Sequence, residues 1–176
     1  MRVLEARRAF VCAAALGLAA GAAHEARAGE ATVVVRSLLP PGPQGAALRR
    51  AALGARRRLA RQECQQVFSQ FEDASGQPLQ EKLDAQGQTA ASYLGLILFA
   101  DGAKFPRCQD PRVFALTEPG SRVVHVCGRQ FASVESDNPR LTEAFLIHEE
   151  LHSLGLRENP PSSKEITVRV LAACHP

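Results

Sequence analysis

An α+β fold is expected for this chain, with a small, mainly antiparallel sheet set among a long N-terminal helix and two helices near the C-terminus. Three observations predict it. Apolar residues recur at helical spacing from Ala46 to about Asp73, three short β-prone runs fall between residues 93 and 127, and two segments with helix-start signals close the chain. The 176 residues, 45% hydrophobic and 22% charged, supply one core of ordinary size and show no internal repeat. Trp is absent, Tyr occurs once and Met only at the start, so an aromatic platform for nucleic-acid bases or a Met-lined groove has little to be built from.

The first 28 residues read as a secretory leader: basic Arg2, Arg7 and Arg8, an apolar stretch from Ala9 to about Ala23, then Ala26-Arg27-Ala28 with small residues where a signal peptidase cuts. Cleavage is expected after Ala28, leaving residues 29–176 as a single domain. The apolar stretch falls short of the roughly 20 residues that span a bilayer, so no stable membrane anchor is expected after cleavage. Cys12 lies inside that stretch and not behind small residues at its end, which argues against lipidation. Taking away the leader's four basic residues (Arg2, Arg7, Arg8, Arg27) and two acidic ones (Glu5, Glu25) from totals of 21 and 18 leaves 17 and 16. A near-neutral domain gives no electrostatic case for nucleic acid or an anionic membrane as partner. A secreted or periplasmic monomer is expected, with residues 29–73 either integral to the fold or a propeptide.

Along the domain, Ala31–Arg36 is rich in β-branched residues and predicts a first strand, which Pro40-Pro41-Gly42-Pro43 ends. From Ala46 to Asp73, Leu48, Leu53, Leu59, Val67, Phe68 and Phe71 fall roughly on one helical face. The arginines Arg49, Arg50, Arg56, Arg57, Arg58 and Arg61 lie largely elsewhere, as on a solvated surface. Gly76–Thr89 is polar and turn-prone. Tyr93–Phe99 is a compact apolar run that predicts a buried strand, followed by strands Arg112–Thr117 and Arg122–Cys127 about the Pro-Gly turn Glu118–Ser121. Asn138-Pro139 reads as an N-cap with Pro at the first helical position, and Gly155 ends that helix. Ser162 and Glu165 have capping-box spacing after Pro160-Pro161 and open a last helix to about Cys174.

Four cysteines remain in the exported chain, an even count that suits two disulfides with three possible connectivities. Cys108 and Cys127 flank the hairpin-like segment, whereas Cys64 and Cys174 lie in or beside helices at opposite ends. Pairing each set internally is favoured. No CxxC spacing supports a Cys-bound metal.

The chemistry is concentrated in Leu146-Ile147-His148-Glu149-Glu150-Leu151-His152-Ser153-Leu154-Gly155-Leu156-Arg157-Glu158. His148 and His152, four apart on a helix, present both imidazoles to one metal ion, and Glu149 between them is placed to take a proton from a water there. Zn²⁺ is the expected metal, one ion, because neutral imidazoles suit it and it lowers the pKa of its water. Two glutamates compete for the third ligand. Glu158 lies three residues beyond Gly155, whose turn brings the chain back, and Glu165 lies on the next helix, where it is also the capping-box acid. A His elsewhere, such as His125 or His175, is the remaining option.

This stretch resembles the zincin metallopeptidases, and H-E-x-x-H-x-x-G-x-x-E is similar to the metzincin signature with Glu in place of its third His. The segment from His148 to Thr167 also resembles exported bacterial proteins of zinc-peptidase type. The resemblance covers about thirty residues and implies a small zincin-like domain with His148 and His152 as ligands and Glu149 as general base. It departs from the metzincins in having no methionine after residue 1, hence no Met-turn. The implied activity is hydrolysis of peptide bonds in a peptide or protein substrate, with the strand Arg122–Cys127 offering its edge to that substrate. Tyr93 and His125 are the side chains considered for stabilising the oxyanion. Two other readings stay open: a non-catalytic exported domain with a structural zinc or an envelope partner, and a zinc amidase acting on cell wall.

Overall fold

Pro43, its φ fixed by the pyrrolidine ring, opens the first helix, α1 (Pro43–Leu59). The computed structural model describes residues 35–175. The leader, and most of the strand expected over Ala31–Arg36, lie outside the described residues. What is described of that segment pairs without forming a strand: Ser37 bridges Phe99 in parallel, and Leu38 N–H donates to the Phe99 carbonyl at 2.8 Å.

α1 buries a face of small residues, with Ala47, Ala51, Ala52 and Ala55 beside Leu48 and Leu59, while Leu53 lies outside it. The close approach this permits is extreme at Gly54, where an added Cβ would stand 1.9 Å from the Glu143 carboxylate. The single helix expected to run to Asp73 is broken. After the cap at Ala60 the chain is extended at Arg61, and then come α2 (Gln62–Gln65) and a 3₁₀ turn over Gln66–Ser69. No helix-breaking residue marks this bend. It is set by tertiary contacts that bring Cys64 to Cys174 and bury Val67 and Phe68. The arginine row is also more than a solvated face: Arg50 pairs with Glu135, Arg58 with Glu143 and the Cys174 carbonyl, and Arg61 with the His175 carbonyl.

The turn-prone segment contains α3 (Leu79–Ala85), and α4 (Ala90–Tyr93) follows with a Thr89–Ser92 capping box. The expected strand Tyr93–Phe99 begins as a 3₁₀ turn over Leu94–Leu96, and only then extends into β1 (Leu98–Asp101). With β2 (Ala115–Thr117) and β3 (Val123–Val126) it forms a sheet of order β1-β3-β2. β3 runs antiparallel to β2, across the Glu118–Ser121 turn, but parallel to β1. The α+β class therefore holds, while the sheet is mixed and not mainly antiparallel. Of the apolar run ending at Phe99, only Leu98 and Phe99 enter β1, and within that strand only Phe99 is buried.

A helix absent from the sequence reading, α5 (Gly128–Asp137), follows β3 directly. Next is α6 (Pro139–Ser153), whose Asn138 side chain accepts from Leu141 N–H and whose Pro139 is at the first helical position, as expected. The last helix, α7 (Ser163–Ala173), opens on the Ser162–Glu165 capping box, also as expected. Cys64–Cys174 and Cys108–Cys127 are both disulfide-bonded, the favoured pairing. None of the helices among the described residues is long and apolar enough to cross a membrane.

Candidate metal centre

α6 is buried through its whole C-terminal half, from Leu146 to Ser153. Leu146, Ile147 and Leu151 belong to the core, whereas His148, Glu149 and His152 are among the polar residues this helix brings inside. Its exit is built with care. Gly155 takes φ 114°, its N–H donates to the His152 carbonyl at 2.8 Å, and Leu156 N–H donates back to Leu151 at 3.1 Å, the paired bonds of a Schellman end. Other elements also reach the carbonyls of this end. Gly120 N–H reaches His152 O at 2.9 Å, Tyr93 Oη reaches Ser153 O at 3.2 Å, and Lys82 Nζ reaches Leu154 O at 3.0 Å.

This exit returns the chain to the helix face it left. Glu158 Oε1 lies 3.4 Å from His152 Nε2 and 3.8 Å from His148 Nε2, and the two Nε2 atoms are 2.9 Å apart. His148, His152 and Glu158 thus form a group that can hold a metal ion. Bonds of 2.0–2.2 Å in tetrahedral geometry put ligand atoms about 3.3–3.6 Å apart, a range these three separations bracket. The donor chemistry fits as well. The Leu156 carbonyl, 2.8 Å from His152 Nδ1, can only accept, so Nδ1 carries the proton and Nε2 presents its lone pair. His148 Nδ1 is likewise engaged, 2.9 Å from Thr167 Oγ1 on α7. Interaction with His148, assisted by the Ser163 hydroxyl, holds the Glu158 carboxyl down to about 2, and it stands there as an anion.

Glu165, the other acid considered for the third ligand, is spent on its helix. Its Oε2 accepts from Ser162 N–H and Oγ, both at 2.8 Å, and it is not part of the group. His175 and His125 are not part of it either.

A cleft of about 950 Å³ opens over the group, bounded by α6, α7 and β2. Glu149 lines it with Oε2 buried and without a hydrogen-bond partner, and the Thr117 hydroxyl of β2, equally unpartnered, lies alongside. Burial pushes the Glu149 carboxyl up to about 6, against the opposing pull of His152 and Thr117. Glu150 turns the other way, fully buried with both oxygens unpartnered, and burial raises its pKa well above the ordinary range. Away from the metal group part of the cleft wall is apolar: Phe145 and Leu141 continue the α6 face one and two turns before His148, Phe114 stacks on Phe145 at 4.6 Å, and Val168 lies on the α7 side.

The two side chains considered for the oxyanion lie in different places. Tyr93 is buried, its hydroxyl caps Ser153 and its ring lies under the Arg122 guanidinium, so it is a clamp on α6 and not an oxyanion donor. His125, in register with Leu116, lines the cleft with its Nδ1 buried and without a hydrogen-bond partner, and its ring packs on Phe105 at 4.3 Å. β3, the strand expected to offer an edge, is central in the sheet. The edge facing the cleft belongs to β2. Thr167, Ser163 and Thr117 escaped the sequence reading. Ser163 and Thr167 are four apart, on one face of α7 beside the core pair Ile166 and Val170, and that spacing was a usable signal. No family model, curated protein or solved structure matches this chain.

Proposed function

We propose that this chain is an exported zinc-dependent peptidase. One observation carries the reading: two imidazole Nε2 atoms and one carboxylate oxygen converge at the end of a buried helix, and the carboxyl of Glu149 lines the same cleft from the same helix. Three convergent ligands leave a tetrahedral ion one open position, the arrangement that separates catalytic from structural zinc. Zn²⁺ bound there supplies Lewis acidity, polarising a carbonyl and lowering the pKa of a water.

This chain's own residues do the rest. Glu149, with a carboxyl near the neutral range and a free buried oxygen, accepts the proton of the attacking water and passes it to the leaving amine. The outer edge of β2, paired on its other side to β3, supports an extended peptide by main-chain hydrogen bonds. The apolar wall of Leu141, Phe145, Phe114 and Val168 excludes water from one side of that peptide. Two disulfides fit residence in an oxidising compartment.

The test is Glu149→Gln. It is expected to retain the metal and lose hydrolysis by at least about a hundredfold, the usual scale of general-base catalysis. Running peptides beside cell-wall amides separates a peptidase from an amidase, and a variant as active as the parent overturns the assigned role.

A further inference from the structure

α7 reaches the metal group at Thr167 and is held to the body of the protein elsewhere. Thr167 Oγ1 stands 2.9 Å from His148 Nδ1. One of the three prospective ligands, His148, therefore takes its outer partner from this helix. Within α7, Ile166 and Val170 are buried, and Leu171 and Ala173 pack partly buried against the core. Its C-terminal end is fastened by stronger means. Cys174 is bonded to Cys64 across 110 residues of sequence, Arg58 donates to the Cys174 carbonyl at 2.6 Å, and Arg140 donates to the Leu171 carbonyl at 3.1 Å.

We propose that Thr167 is a positioning residue for His148, and that the Cys64–Cys174 disulfide, by holding α7 in place, sets how tightly the group binds its metal. The proposal rests on the metal-binding reading above but not on peptidase activity. A metal bound at His148 Nε2 needs the proton on Nδ1, and an acceptor on Nδ1–H fixes both the tautomer and the ring angle. A carboxylate or a main-chain carbonyl is the usual acceptor, and His152 has the carbonyl of Leu156, carried by its own helix exit. His148 depends instead on a hydroxyl from a separate helix. A hydroxyl both donates and accepts, so it imposes the tautomer less strictly, and its position is only as fixed as α7 itself. The disulfide is buried at both cysteines and acts as a permanent bolt.

Zinc affinity by chelator competition, with the Co²⁺ absorption spectrum as a signature of ligand geometry, tests this on the oxidised protein. Thr167→Val, which keeps shape and removes the acceptor, is expected to weaken zinc binding about 10–100-fold, and Thr167→Ser is expected to restore most of it. Removing Cys64–Cys174 by paired Ala substitutions is expected to weaken zinc in the same sense, while removing Cys108–Cys127 is expected to leave it unchanged. Adding Thr167→Val to the Cys64/Cys174 variant is expected to cost less than it does alone, because both act through one contact. Thr167→Val binding zinc as tightly as a metal-binding parent overturns the latch alone, as do fully multiplicative effects of the two changes. A folded parent that takes no zinc overturns the metal reading and the latch together. If the cysteine variant does not fold, the Val and Ser variants of Thr167 decide.

Discussion

His152 Nδ1 lies 2.8 Å from the carbonyl oxygen of Leu156, four residues on, across the glycine that ends α6. The helix exit thus orients one prospective ligand through its main chain and delivers another, Glu158, two residues later. Gly155 makes this possible. At φ 114°, an added Cβ would stand 3.0 Å from Lys82 Nζ and 3.2 Å from Asp73 Cβ. Gly155→Ala is therefore predicted to cost about 1–3 kcal/mol of stability and to weaken metal binding in the protein that still folds. Urea denaturation and a zinc titration read the two effects.

The two glutamates that competed in the sequence separate cleanly by mutation. Glu158→Ala removes a ligand and is predicted to reduce metal affinity at least as strongly as the loss of an outer partner, more than about tenfold. Glu165→Ala removes a capping-box acid, costing about 0.5–2 kcal/mol, and is predicted to change metal affinity far less. Parallel zinc titrations and denaturation curves distinguish them, and equal losses of affinity would contradict the assignment.

Asp73 gives the fold an acid-side dependence. Its carboxylate pairs with Lys82 Nζ at 2.6 Å and accepts from Ser75 and Gln77, and these bonds hold its pKa well below the usual range. A carboxyl depressed in the folded state contributes stability that is full above its unfolded pKa, near 4, and is lost as pH falls below that value. Asp73→Asn is predicted to be less stable than the parent at pH 7, with a gap that closes as pH falls below 4. Thermal melts across pH 2–7 check it.

Glu150 is the opposite case, a carboxyl with no partner whose pKa burial raises well above the ordinary range. An apolar side chain of similar volume removes the desolvation cost without opening a cavity. Glu150→Leu is predicted to raise stability by about 1–3 kcal/mol. A lower urea midpoint for this variant would show that the carboxyl has a partner or purpose not seen in its surroundings.

The parts of this fold legible in the sequence are those with local causes. Asn138-Pro139, Gly155 and Ser162–Glu165 carry their own cap chemistry, so α6 and α7 were read correctly at both ends. The His148/His152 spacing is a helix property and needs nothing else. The break at Ala60–Arg61 was hidden because its causes, Cys64 meeting Cys174 and Arg58 meeting Glu143, lie about 85–110 residues away in sequence. β3 was taken for an edge because strand order is a long-range property; only the parallel register of Leu98–Asp101 with Val123–Val126 places it centrally. The partners of the two imidazoles escaped because one is a main-chain carbonyl, which side-chain spacing does not reveal, and the other a hydroxyl on a different helix.

The central claim is that His148, His152 and Glu158 hold one zinc ion. Elemental analysis of the oxidised chain from Gly29, beside His148→Ala and after zinc is offered and the excess removed, tests it most directly. The account predicts one equivalent in the parent and little in the variant. A folded parent without metal, or a variant that keeps its full equivalent, would contradict it.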